Sequence, residues 1–258
     1  MRTIAIINLK GGVGKTVTSI NMADILAVDH QQRVLLVDAD SQCNTTEFFG
    51  GDPDQGSLAD ILRDSDGAYG KSKIQHTRHS DHLDLLPASE ELMDLDLSKV
   101  EARTVRSSAL MELRVALEID SRYDYCVIDC PPAFSAASAA ALLMADEVII
   151  PIKLDAFSLR GMANLVRQVS NMRRINANLR VAGCLATMWY SSPTTEDALA
   201  TLRASGLPVF GVRIRRTDKV DGMTYAQEPL SLYSPRSAAG VDYRRFVREY
   251  LEGARGNG

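Results

Sequence analysis

The sequence predicts a doubly wound α/β fold, one mostly parallel sheet flanked by helices, on three observations. Its apolar runs are short and nearly continuous instead of alternating, the pattern of a strand covered on both faces. Segments of helical length and period separate one run from the next. The first run, Ile4 to Ile7, leads at once into Lys10-Gly11-Gly12-Val13-Gly14-Lys15-Thr16, a glycine-rich turn set between a strand and a helix.

In chain order, strands are expected over Thr3–Asn8, Val34–Ala39, Leu83–Pro87, Tyr125–Asp129, Glu147–Ile152, Val181–Thr187 and Pro208–Ile214. Helices are expected over Lys15–Val28, Ser57–Leu62, Glu101–Ile119, Ser135–Met144, Leu159–Ile175, Thr194–Ala204 and Ala239–Glu252. The stretch from Gly50 to His82 is rich in Asp, Gly, Ser and His and reads as a surface excursion with one short helix. No repeat, linker or low-complexity segment is visible, so residues 1–258 are expected to form a single domain.

At 258 residues and 45% hydrophobic, the chain is long enough for one large core and lacks the composition of a disordered segment. No apolar stretch approaches the roughly 20 residues needed to span a bilayer. Met1-Arg2-Thr3 runs into a strand, not a signal peptide, and a cytoplasmic protein is expected. Cys43, Cys126, Cys130 and Cys184 lack the close paired spacing of metal ligands and read as small core residues. The net charge of −4 conceals an asymmetry: residues 1–150 carry 13 Lys and Arg against 24 Asp and Glu, net −11, whereas residues 151–258 carry 16 against 9, net +7. Clustered cations on an otherwise acidic chain are the footprint of a polyanionic partner, although arginines also decorate many solvated helices.

The glycine-rich turn carries the chemistry. Its successive backbone N–H groups, with the positive end of the following helix, form a nest for phosphate oxygens. Gly11, Gly12, Val13, Gly14, Lys15, Thr16 and Val17 are therefore the candidate binding segment for a nucleoside triphosphate, with Lys15 on the outer phosphates and the Thr16 hydroxyl on Mg²⁺. Strands of a parallel sheet place their ligands at one edge, so Asp38, Asp40 and Asp129, each at or just after a strand end, converge on this turn. A carboxylate beside the γ-phosphate can orient water without a strongly raised pKa. The plainer alternatives are a helix cap near Cys43 or Asn44 for Asp40 and a strand-end turn for Asp129.

Lys10 stands five residues before Lys15, and Leu9 stands where an ordinary phosphate loop begins with glycine. That loop resembles the deviant Walker loop of the ParA/MinD family. So do Asp38-Ala39-Asp40-Ser41-Gln42, with Ser41 in place of the family's proline, and Asp129-Cys130-Pro131-Pro132. Val148 to Ile152 followed by Phe157-Ser158-Leu159-Arg160-Gly161 extends the likeness, which is closest to short ParA/Soj-type partition ATPases.

The resemblance implies ATP and Mg²⁺ as cofactors, slow partner-stimulated hydrolysis to ADP and phosphate, and a homodimer in the ATP state. In that dimer Lys10 crosses to the partner's nucleotide, so Lys10, Lys15 and Asp40 are the implied catalytic residues and Thr16, Asp38 and Asp129 the implied metal shell. Adenine contacts are implied for Met188-Trp189-Tyr190 and Ile214-Arg215-Arg216, with Met188 and Arg215 as the leading candidates. Trp189 and Tyr190 read equally as base-stacking or core-closing residues. ParA-type members bind DNA nonspecifically and work with a centromere-binding, ParB-like partner, which implies a nucleoid-associated protein with Arg216, Lys219 and Arg245 as DNA contacts. MinD-type members bind membrane through a C-terminal amphipathic helix, and here Phe246, Val247, Tyr250 and Leu251 have helical spacing. Glu249 and Glu252 interrupt that helix's basic face, so DNA is favoured and membrane disfavoured. A cargo-positioning scaffold with little DNA contact is the remaining alternative.

Overall fold

The computed structural model describes residues 1–63, 69–97 and 108–255. Its strands are β1 (Arg2–Ile6), β2 (Val34–Asp38), β3 (Gln75–His76), β4 (Leu83–Leu86), β5 (Tyr125–Asp129), β6 (Glu147–Lys153), β7 (Arg180–Trp189) and β8 (Val209–Arg215). They form one sheet in the order β3-β4-β2-β5-β1-β6-β7-β8. Every pairing is parallel except the short antiparallel β3–β4 edge.

The apolar runs are continuous because each strand feeds two cores. Ile4 and Ile6 of β1 point into one cluster with Leu36 and Val127, while Ala5 and Ile7 point into the other with Leu35, Val37 and Ile128. The first core is closed by α1 (Lys15–Val28) and by α11 (Ala238–Arg255), which contributes Tyr243, Phe246 and Val247. The second is closed by α3 (Leu58–Arg63), α5 (Ala109–Ile119), α6 (Ala136–Met144), α7 (Ala156–Met172) and α8 (Pro193–Ala204). Shorter helices follow strand ends or line the rim: α2 (Asn44–Phe48), α4 (Leu92–Leu97), α9 (Lys219–Ala226) and α10 (Leu230–Tyr233).

Helix α1 is buried almost all round, so its polar residues need partners. Thr18 meets the Tyr243 hydroxyl at 3.1 Å, Asn21 Oδ1 accepts from the Leu230 N–H at 2.9 Å, and the Ser231 hydroxyl donates to Asp24. These contacts tie the helix that begins at the phosphate loop to the C-terminal helices. At the far edge, β8 would expose unpaired N–H groups. Glu249 of α11 accepts from Gly211 and Val212 at 2.6 and 2.9 Å, and Asp242 accepts from Arg215 at 3.0 Å. The helix thereby covers a sheet edge that could otherwise pair with another chain.

The stretch from Gly50 to His82 is more than a surface excursion: α3 places Leu58, Ala59, Ile61 and Leu62 in the core, and Gln75–His76 adds the antiparallel edge strand. The expected helix over Glu101–Ile119 is seen from Ala109, and residues 101–107 lie outside the described residues. Helix α7 begins at Ala156, not at Leu159. Helices α4, α9 and α10 were not expected, and α2 was expected only as the helix near Cys43 or Asn44 in the capping alternative for Asp40; none exceeds the eight residues of α9, too short for a periodic signal to stand out.

Candidate functional site

From β1 the parallel strands are laid down first toward one side of the sheet, through β2 and β4, and later toward the other, through β6, β7 and β8, so the crevice at the carboxyl ends of β5, β1 and β6 is the topological switch point. The glycine-rich turn sits there. Gly12 and Gly14 adopt φ of +69° and +85°, a region where a side chain would be strained, and Gly14 caps the start of α1. The turn is braced from β7, whose buried Thr187 donates its hydroxyl to the Val13 carbonyl at 2.8 Å.

Predicted residues meet under the loop. Asp38 and Asp129 are partners in the β2–β5 register, and both are buried. Asp129 accepts from the Ser19 hydroxyl at 3.1 Å and the Thr45 hydroxyl at 2.8 Å, with the Thr16 hydroxyl as a further donor. Asp38 accepts the Thr46 N–H and hydroxyl, each at 2.8 Å, and the Asp40 N–H at 3.1 Å. Burial pushes both carboxyls above the ordinary range and their mutual repulsion adds to the rise at Asp38, while the hydroxyl donors oppose it. Two buried, hydrogen-bonded carboxylates beside a threonine at a phosphate nest are chemically suited to a hydrated divalent cation. Burial likewise lowers the Lys15 ammonium below its ordinary value, opposed by Asp129 and Asp40.

Asp40 is nearly buried and accepts from the Gln42 N–H at 3.1 Å. Helix α2 is capped by Cys43 in the left-handed region without a side-chain bond, and it is Asp38 that receives an N–H from its first turn. The capping alternative for Asp40 is therefore not what the chain does.

Lys10 is not idle within its own subunit. Its Nζ lies 2.8 Å from both Asp155 oxygens, just past β6. The side chain of Lys15 points back to the Lys10 carbonyl at 3.4 Å.

Beside the loop, a cavity of about 250 Å³ is lined by Gly14, Val17, Lys153, Met188, Tyr190 and Arg215, with Arg216 and Asp221 at the same wall. Met188 takes φ of +51°, which turns the chain at the end of β7. Of the two aromatic residues, Tyr190 is 55% exposed and lines the cavity, whereas Trp189 is 9% exposed and covered by the Arg213 guanidinium 4.5 Å above its ring. Arg215 reaches the cavity while paired with Asp242 at 2.8 Å. Arg216 is exposed and borders the same cavity, Lys219 opens α9 as an exposed residue, and Arg245 lies in a shallow groove with Arg213 and Arg215. Sequence reasoning missed Ser19, Thr45, Thr46, Asp155 and Thr187. Only Asp155, a carboxylate just after a strand end, carried a readable signal.

A family model described as an AAA domain matches residues 1–181. The chain is 30% identical to the chromosome partitioning protein ParA of Caulobacter vibrioides, covering 97% of this chain and 94% of that protein. The chain belongs to the ParA/MinD family. Among solved structures it is similar to cobyrinic acid a,c-diamide synthase from Mycobacterium smegmatis with bound ADP and magnesium, at TM-score 0.80, 27% identity and coverage of 100% of this chain and 97% of that one. It is also similar in fold to the cell division ATPase MinD of Pyrococcus furiosus, at TM-score 0.76, 21% identity and coverage of 97% and 98%. Family membership makes the chain a P-loop ATPase in kind. No helix of the described residues is long and apolar enough to cross a membrane.

Proposed function

We propose that residues 1–258 form one ATPase domain that binds ATP with Mg²⁺, pairs with a second copy around two nucleotides, and binds DNA nonspecifically in that state. It then partitions plasmid or chromosomal DNA with a ParB-like centromere-binding partner, from a cytoplasmic, nucleoid-associated position. The observation that carries this reading is the placement of Arg216, which borders the nucleoside-sized cavity and lies three residues before exposed Lys219. Nucleotide occupancy and a basic surface thus share one segment, and the relative named for chromosome partitioning matches over nearly the whole chain.

In the proposed mechanism the turn's N–H groups and Lys15 hold the phosphates, and Thr16, Asp38 and Asp129 hold the hydrated metal shell. Bound Mg²⁺ supplies charge neutralisation at the transferred phosphoryl group. Asp40 orients the attacking water, and Lys10, released from Asp155, crosses to the partner's nucleotide as an additional cation. Met188, Tyr190 and Arg215 wall the base.

Sedimentation with plasmid DNA and, separately, with anionic liposomes tests the reading. DNA should pellet the protein only with ATP, and affinity should fall steeply with salt because neutralised phosphates release counterions. Lys219→Glu with Arg245→Glu should abolish pelleting while ATP hydrolysis without DNA stays within about a few-fold of normal. ATP-dependent pelleting with liposomes alone would transfer the assignment to the MinD-like, membrane-binding reading.

A further inference from the structure

Lys153 ends β6, a strand whose six preceding residues are all buried, and its own side chain is exposed. It stands opposite Thr187 in the β6–β7 register. Thr187 is the residue that braces the Val13 carbonyl, and its methyl lies 3.8 Å from where a Cβ on Gly14 would stand. Lys153 is therefore one strand away from the nucleoside side of the phosphate loop, and it lines the 250 Å³ cavity together with Gly14 and Met188.

Three of the neighbouring cations are engaged, while Arg216, at the base-side wall of the cavity, pairs with no carboxylate among the described residues. Lys10 holds Asp155, Arg213 meets Glu196 at 3.4 Å, and Arg215 holds Asp242. The nearest carboxylate in sequence, Asp155, is thus taken, and its N–H bonds the Lys153 carbonyl at 2.9 Å. Among the described residues none pairs with the Lys153 ammonium. A buried strand that ends in a cation without a carboxylate partner among the described residues, at a cavity that opens onto a phosphate nest, is a charge placed for a ligand.

We infer that Lys153 is a nucleotide-positioning residue that contacts the α-phosphate. The geometry fixes which phosphate. Lys15, Thr16 and Asp129 mark the outer-phosphate side of the loop, and Met188, Tyr190 and Arg215 mark the base side. Gly14 lies between them, and the group that joins outer phosphates to nucleoside is the α-phosphate. The inference rests on the proposed binding of ATP and goes beyond it by adding a cation outside the loop motif.

The test is titration of fluorescent ATP and ADP analogues into wild type, Lys153→Gln and Lys153→Arg, with thermal melts of each. Because the α-phosphate is common to both nucleotides, Lys153→Gln should weaken ATP and ADP by the same factor, about three- to tenfold for a partly exposed charge-assisted contact. Adenosine should be unaffected, Lys153→Arg should restore most of the loss, and the melting temperatures of the free proteins should agree. Unchanged affinity, a loss confined to ATP, or an equal loss for adenosine would overturn the assignment. If wild type bound neither nucleotide, the ATP reading itself would fall, an outcome distinct from a null effect in the variant.

Discussion

The Lys10–Asp155 pair opposes the role proposed for Lys10, and Asp155→Asn is the change that exposes the conflict. Lys10 is bidentate to Asp155 at 2.8 Å, but the two side chains are 36% and 30% exposed, so water screens much of the attraction. Such a pair is worth about 0.5–1 kcal/mol. A lysine that must leave this carboxylate to reach the partner's nucleotide forfeits that amount, and a symmetric dimer forfeits it twice. Removing the competing charge should therefore tighten the ATP dimer by about 1–2 kcal/mol, or about five- to thirtyfold in dissociation constant.

Sedimentation velocity over a dilution series, with ATP and with ADP, measures the effect. The ATP dimer should persist to lower protein concentration in Asp155→Asn, the ADP state should be unchanged, and the melting temperature should shift only slightly. Lys10→Ala is the companion: it should leave nucleotide affinity of the dilute monomer near normal while weakening the dimer. An Asp155→Asn dimer no tighter than wild type, or tightened equally with ADP, would refute the idea that Asp155 holds Lys10 back.

Three further outcomes are expected. Asp40→Ala should retain ATP binding and the ATP dimer yet lose most turnover, because water orientation goes while the phosphate nest stays; near-normal turnover by phosphate release would remove Asp40 from the mechanism. Thr187→Val deletes the hydroxyl that satisfies the Val13 carbonyl, and should lower stability in urea by about 1–2 kcal/mol and weaken both ATP and ADP binding; an unchanged urea midpoint would mean the brace is dispensable. Asp24 is buried, and burial raises its carboxyl above the ordinary 3.8 against the opposing Ser231 hydrogen bond, with Asp29, His79 and Arg244 as the other charged or titratable neighbours. A raised folded-state pKa means stability that is full below the unfolded value and lost as pH rises through the folded one. Asp24→Asn should thus gain melting temperature relative to wild type near neutral pH and gain little near pH 4; equal shifts at both would contradict the sign.

The long strands and helices were legible because burial imposes a period. The alternation of Ile4 and Ile6 against Ala5 and Ile7 between two cores produces the unbroken apolar runs that signal a parallel sheet, and the Lys15–Val28 helix was read to its last residue. What escaped are elements held by tertiary contacts. Helix α10 spans four residues and is fixed by the bond from its Leu230 N–H to Asn21, and the two-residue β3 exists through pairing with β4. Neither leaves a periodic trace. The loop from Gly50 looked solvated because its charged residues outnumber the few apolar ones that anchor α3.

The site was legible where chemistry demands a residue type and opaque where it demands only a donor. Glycines with positive φ, a lysine at the helix start and carboxylates at strand ends can be read from spacing, because few other residues would serve there. The hydroxyls of Ser19, Thr45 and Thr46 cannot, since any of many serines and threonines in the chain would look the same. Yet they decide how the buried carboxylates are held, and they have a structural consequence. Thr45 and Thr46 lie in α2, so this helix is fastened to Asp129 and Asp38 by its first turn. The Glu47 carbonyl of the same helix accepts from Gln227 at 3.0 Å, and Gln227, at φ +52°, is the C-cap of the helix that begins with Lys219. The carboxylate pair is thereby joined to the basic helix through one short helix and one glutamine. A phosphate or metal that changes how Asp38 and Asp129 are satisfied acts on α2 first, and α2 is bonded to the element that carries the proposed DNA contact. A contiguous set of hydrogen bonds of this kind is one physical route from bound nucleotide to the geometry of the proposed DNA surface. Gln227→Ala, which cuts the only bond in that chain made by an exposed side chain, should therefore weaken the ATP dependence of DNA pelleting and leave ATP hydrolysis in the absence of DNA near normal; pelleting that remains as dependent on ATP as wild type would show that the coupling runs elsewhere.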